Sequence, residues 1–198
     1  EDVFALQDKV TGAIVKALEI TFKQGEEMAF GQHETENIKA YDEFLAGWKY
    51  FNKTTPADFK KAIAHFERAI LLDANYARPH AALAELYTIT YRNFWHIPLG
   101  YDGGITGRSA LRKKRDDHLN KALIQPSAIA LAVEARRRVE TFQFDKARAT
   151  ATHAIRLAPG APDGYLALAR VLTVSGEGEA AIRQMETAMR LQPHYPWS

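Results

Sequence analysis

The sequence predicts an all-α protein: an α-α superhelix, or solenoid, of about four helix-turn-helix repeats, preceded by an amphipathic helix and interrupted by one inserted loop. Three observations carry this reading. Small and apolar residues return at a fixed offset of 34 places, where Ala147, Ala154, Leu157 and Pro159 reappear as Ala181, Ala188, Leu191 and Pro193. A fixed period of this length marks units that bury their faces on one another. Within the last unit, Tyr165, Leu168, Ala169 and Leu172 fall at i, i+3, i+4 and i+7. A second stripe follows in Ala181, Ile182, Met185, Ala188, Met189 and Leu191, with Gly176 at the turn and Pro193 as the stop. The third observation is that no strand pattern is found.

Those eight places have a meaning in one known family. Tyr165, Leu168, Ala169, Leu172, Ala181, Ala188 and Pro193 match by type, and Met185 replaces the usual aromatic residue, so the unit resembles the tetratricopeptide repeat. The small residues let two antiparallel helices cross closely.

The leading segment, Asp2 to about Thr21, places Val3, Leu6, Val10, Ala13, Ile14, Ala17 and Leu18 on one helical face. Gly25 and Gly31 weaken any continuation, leaving Glu26–Phe30 as a short helical piece. Residues 1–36 therefore read as a linker helix and short segment, and 37–195 as the array, with repeats at about 37–76, 77–126, 127–161 and 162–195. Residues 196–198 read as the start of a truncated fifth repeat. The chain does not begin with methionine, so a longer parent is expected.

In repeat one, Tyr41, Phe44, Leu45 and Trp48 pair with Ala62, Ile63, Phe66, Ala69 and Ile70, and Pro56 opens the second helix. Leu45 stands where a small residue is usual, so this first crossing is expected to be looser. Repeat two opens on His80, Leu83, Ala84 and Tyr87. Asn93–Gly107, with four glycines, one proline and three aromatics, then reads as an inserted loop. Its partner helix is expected to resume near Ser109 as N-cap and to bury Leu111, His118, Leu119, Ala122 and Leu123. Arg115 falls there at a place the family keeps small. Repeat three keeps Leu131 and Ala135 but puts Glu134 at a normally apolar place, and Phe142–Ala147 reads as its turn and second-helix start.

Asp2-Val3-Phe4-Ala5-Leu6-Gln7-Asp8, Asn37-Ile38-Lys39-Ala40-Tyr41-Asp42 and Leu45-Ala46-Gly47 resemble the repeat region of bacterial class III adenylate/guanylate cyclase-like signalling proteins. That resemblance implies a non-catalytic module attached to a cyclase-like parent, and the absence of cysteine fits a cytoplasmic protein. It carries no chemistry of its own.

Composition bounds the function. Of 198 residues, 46% are hydrophobic and 25% charged, and the net charge of +2 gives no general attraction for nucleic acid or anionic membrane. Cysteine is absent, which excludes disulfides and thiolate chemistry. No run approaches the roughly 18 apolar residues of a membrane span.

Catalytic and cofactor patterns are weak throughout. Asp102–Gly107 lacks the Gly-Lys-Ser/Thr of a phosphate loop and does not follow a strand. The histidines form no His-Glu-x-x-His pair, and His33-Glu34-Thr35-Glu36 reads as surface loop. His65, His80 and His153 read as packing or surface residues. Arg112–Arg115, offset by Asp116 and Asp117, and Arg136–Arg138 read as charges dispersed around their helices. No nucleophile stands beside a base. No metal, cofactor or catalytic residue is expected.

Interaction residues follow from the repeat frame, because the family binds peptides on a concave wall made by the first helix of each pair. The wall positions include Lys49, Glu85, Arg136, Arg170 and Thr173. Arg136 and Arg170 occupy equivalent places in adjacent repeats and suit a carboxylate or acidic segment; pairing of these arginines with Glu85, Glu134 or Glu140 is the competing reading. In the inserted loop, Phe94, Trp95 and Tyr101 either fold back onto the helices or meet a partner. A protein or peptide partner of unknown identity is thus expected. Homodimerisation through the leading helix and the last repeat, or a ligand sensor in the loop, stand as alternatives.

Overall fold

The computed structural model describes residues 35–193 and positions 5, 6, 9, 10 and 13, which are helical. The rest of the expected leading helix, Glu26–Phe30, His33, Glu34 and His194–Ser198 lie outside the described residues.

Residues 35–193 carry eight helices and no strand. They form four consecutive hairpins: α1 (Ile38–Phe51) with α2 (Pro56–Leu72), α3 (Ala77–Arg92) with α4 (Gly104–Ala122), α5 (Ala128–Glu140) with α6 (Phe144–Leu157), and α7 (Pro162–Val174) with α8 (Gly178–Leu191). Local chemistry sets their starts. The side chains of Asn37, Thr55 and Ser127 accept from the backbone N–H of Ala40, Asp58 and Ala130, which satisfies donors a helix start leaves open. Pro56 and Pro162 sit in first turns, where proline's missing N–H costs nothing.

The first, third and fourth hairpins close on small residues. Ala62 and Ala69 of α2, Ala147, Ala151 and Ala154 of α6, and Ala181 and Ala188 of α8 are all buried. The first crossing departs from expectation. Leu45 is 46% exposed and turns away from α2. The close approach is made by Gly47, where an added Cβ would lie 2.6 Å from the Phe66 ring. The small residue lies two places on from the one the repeat frame marks, and the helices cross tightly there.

The second hairpin departs as well. α4 begins at Gly104, so Ser109 lies within it and is not its N-cap. Gly107 makes this earlier start possible: a Cβ there would sit 1.9 Å from the Asp102 carbonyl oxygen, so only glycine lets the loop fold over the first turn. Arg115 is buried and not part of a solvated face. Its guanidinium donates to Glu140 at 2.8 and 2.9 Å and its Nε–H to Asp116 at 2.9 Å, tying α4 to the end of α5.

Packing changes character along the stack. Around α1–α4 a core of aromatic rings runs Tyr76, Phe44, Trp48, Phe51, Phe59 and Trp95, each centroid 5.0–5.8 Å from the next. Around α5–α8 the seam is alanine: Ala132, Ala135, Ala151 and Ala167 meet with Leu168 beside them. Gly164 takes this to the limit, since a Cβ on it would approach the Ile155 backbone nitrogen to 2.8 Å.

The connectivity gives the stack its curve. α1 touches α3, α3 touches α5 and α5 touches α7, whereas the second helices reach only the first helices on either side. A row of first helices in mutual contact, with second helices splayed outside them, makes an arc whose inner wall is α1, α3, α5 and α7. The described fold is a tetratricopeptide-like helical superhelix.

Candidate functional site

The inner wall is held together by charge. The Arg136 guanidinium on α5 lies against the Glu85 carboxylate on α3, with both side chains nearly out of solvent. Asp163, in the first turn of α7, is the third member of this group. Its pKa is pushed up to about 6 by burial and by the Glu85 charge, against the pull of Arg136. The Arg136 Nε–H is buried without an acceptor. Arg136 thus pairs with Glu85, and its charge also reaches Asp163, across three successive first helices.

Glu134, two residues before Arg136 on α5, is buried as well. Burial raises its pKa, but Arg137 and Arg138 donate to it at 2.6–2.9 Å and hold the carboxylate below its ordinary range. The polar residue at an apolar place is satisfied by its own helix.

Of the five groove positions read from the repeat frame, the structure therefore brings two together, Glu85 and Arg136. Lys49 on α1 and Arg170 and Thr173 on α7 are exposed. Arg170 makes no ion pair among the described residues, and the Thr173 hydroxyl donates to the Ala169 carbonyl at 2.8 Å. Arg136 and Arg170 accordingly differ in state: one is a buried link between helices, the other a free cation on the wall.

The loop aromatics divide likewise. Trp95 meets Phe59 edge-on at 5.5 Å, and Tyr101 packs against the same core. Phe94 is 61% exposed, with φ +57°, under the Arg108 guanidinium at 4.8 Å.

Comparison with known proteins adds little beyond this geometry. No family model matches the chain, and no curated protein matches it. Among solved structures, the crystal structure of MamA aligns over 96% of this chain and 89% of that one, with TM-score 0.43 and 14% identity. The likeness is remote, and the fold stands on the hairpins themselves.

One cluster escapes sequence reasoning. His80 on α3 and His118 on α4 meet with their Nδ1 atoms 2.8 Å apart, one donating to the other, and His118 stacks on Tyr87 at 5.9 Å. Burial brings both pKa values down to about 4; Lys121 adds to this for both, and His80 and Lys114 add to it for His118. Both residues fall on buried stripes that the sequence displays, but a separation of 38 positions hides their meeting. No group of three or more His, Asp or Glu side chains converges on a metal position among the described residues. Nor is any described helix long and apolar enough to cross a membrane.

Proposed function

We propose that this chain is a non-catalytic protein-protein interaction and regulatory module that takes a partner peptide or segment along its inner wall. The observation that carries the reading is the row of first helices, internally neutralised at Glu85 and Arg136 yet carrying unpaired Arg170 and exposed Lys49. An extended or helical partner bearing carboxylates suits these two cations, since a guanidinium takes a carboxylate in bidentate fashion. Arg136 acts as a spacer that fixes the wall's curvature, and Thr173 lies one turn from Arg170 as a further contact.

The parent in this proposal is a cytoplasmic, bacterial, cyclase-like signalling protein. Its support is the resemblance in Asp2–Asp8, Asn37–Asp42 and Leu45–Gly47. The test is capture from a bacterial lysate on the immobilised chain, repeated with Arg170→Glu and Lys49→Glu together. A partner whose recovery falls at least tenfold with the double variant supports the wall as the site; equal recovery overturns it.

A further inference from the structure

α4 carries more positive charge than its neighbours answer. Lys113 pairs with Asp117 one turn on, and buried Arg115 takes both Asp116 and the Glu140 carboxylate at the end of α5. Arg112 is left with a 3.6 Å contact to the same Glu140, and its side chain is 49% exposed. Arg108, one turn earlier, has no carboxylate partner among the described residues, and its Nε–H is buried without an acceptor.

Aromatic rings stand where acids would. The Arg108 guanidinium lies 4.4 Å from the Tyr91 ring centroid and 4.8 Å from that of Phe94, and Arg112 lies 5.1 Å from the same Tyr91 ring. A ring face attracts a cation without using its N–H donors, whereas a carboxylate would have occupied them. Arg108 is thereby fixed in position while the planar fork of its two terminal amino groups stays unspent. Tyr91 comes from α3 and Phe94 from the inserted loop, so the insert supplies one wall of the arrangement.

We propose that Arg108 and Arg112, held by Tyr91 and Phe94, form a binding site for a phosphate monoester group. Their spacing of four residues puts both on one helix face, about 5–6 Å apart at Cβ. A carboxylate is filled by one guanidinium fork; a phosphate monoester, with nearly two charges and three acceptor oxygens, takes both. Glu140 competes weakly, because its two oxygens already accept from Arg115 at 2.8 and 2.9 Å. The group arrives either on a phosphorylated side chain of a partner or on a small free ester, and the chemistry at the fork is the same. The site does not rest on the inner-wall reading, which uses Lys49 and Arg170.

Proton–nitrogen NMR of the full chain, following arginine Nε–H signals, tests it in titrations with a Gly-phosphoserine-Gly peptide, inorganic phosphate and acetate. The Arg108 and Arg112 signals are expected to shift saturably with the peptide, at a dissociation constant roughly tenfold or more below that of acetate. Arg108→Gln and Arg112→Gln should each weaken peptide binding roughly tenfold, the loss of a charged hydrogen-bond donor. Phe94→Ser keeps both charges and should weaken it about threefold, because Arg108 loses a wall that holds it. Backbone amide signals of α7 and α8 check that each variant is folded, and half-exposed Arg112 keeps the test decisive if Arg108→Gln does not fold. Peptide binding tighter than inorganic phosphate assigns the group to a protein partner and equal binding assigns it to a small ester; both support the site. No saturable shift, equal affinity for acetate, or unchanged affinity in a folded glutamine variant overturns it. Arg170→Glu with Lys49→Glu should leave the titration unchanged, which separates failure here from failure of the inner-wall reading.

Discussion

The Arg136 guanidinium and the Glu85 carboxylate join α5 to α3 across 51 residues of sequence, in a site where both side chains are almost fully shielded from water. Such a pair is costly to break from one side, because the remaining charge stays buried without its partner. Arg136→Met should lower unfolding free energy by about 3–5 kcal/mol in urea titrations. Glu85→Leu with Arg136→Met should recover most of that loss, since apolar residues of similar volume fill the place without desolvated charge.

Gly47 and Phe66 set the tightness of the first hairpin. Gly47→Ala forces a methyl group to within 2.6 Å of the ring, and the fully buried Phe66 has no room to retreat. The expected cost is about 1–3 kcal/mol. In a Phe66→Leu background the same substitution should cost less, and a double-mutant cycle by thermal unfolding measures the coupling.

The histidine pair makes stability depend on pH in a defined direction. His80 and His118 have folded-state pKa values near 4 against an ordinary 6.5, so the unfolded chain binds more protons between those limits. Stability is therefore full above pH 6.5 and falls as pH drops from 6.5 to 4. Asp163 works the other way: raised to about 6 from 3.8, it favours the folded state as pH falls through that window, but it is one group against two. The net loss should be on the order of a few kcal/mol. Replacing the pair by His80→Leu and His118→Leu should flatten or invert the slope of stability between pH 6.5 and 4.

The inserted loop is anchored by one side chain more than the others. Trp95→Ala removes the last ring of the aromatic run and should cost about 3 kcal/mol. Phe94→Ser, at an exposed position, should change stability by no more than about 0.5 kcal/mol. Chemical denaturation of the two variants compares them directly.

The repeats were legible because period and stripe are local. The 34-residue recurrence of alanine and proline, and stripes such as Leu168, Ala169 and Leu172, state which faces meet without reference to distant residues. Two glycines conceal their roles in sequence. Gly107 looked like loop and is the contact that lets α4 start early, while Gly47, not position 45, makes the first close crossing; neither close approach leaves a trace in sequence. The inner wall was legible as positions but not as states. Arg136 and Arg170 are equivalent in the frame, and only the packing of α3 against α5 pairs one with Glu85 and leaves the other open. In sequence, buried Arg115 is indistinguishable from a dispersed charge run, because its partner Glu140 lies 25 residues away on the next helix.

The shift from rings to alanine along the stack divides the molecule's tolerance for change. Where the seam is methyl against backbone, as at Ala151 and Gly164, any larger side chain pries neighbouring helices apart, so that end is rigid in composition and poor in stored apolar surface. Where it is ring against ring, one large residue can substitute for another. The carboxy-proximal hairpins are thus expected to unravel first under load, leaving the aromatic root standing.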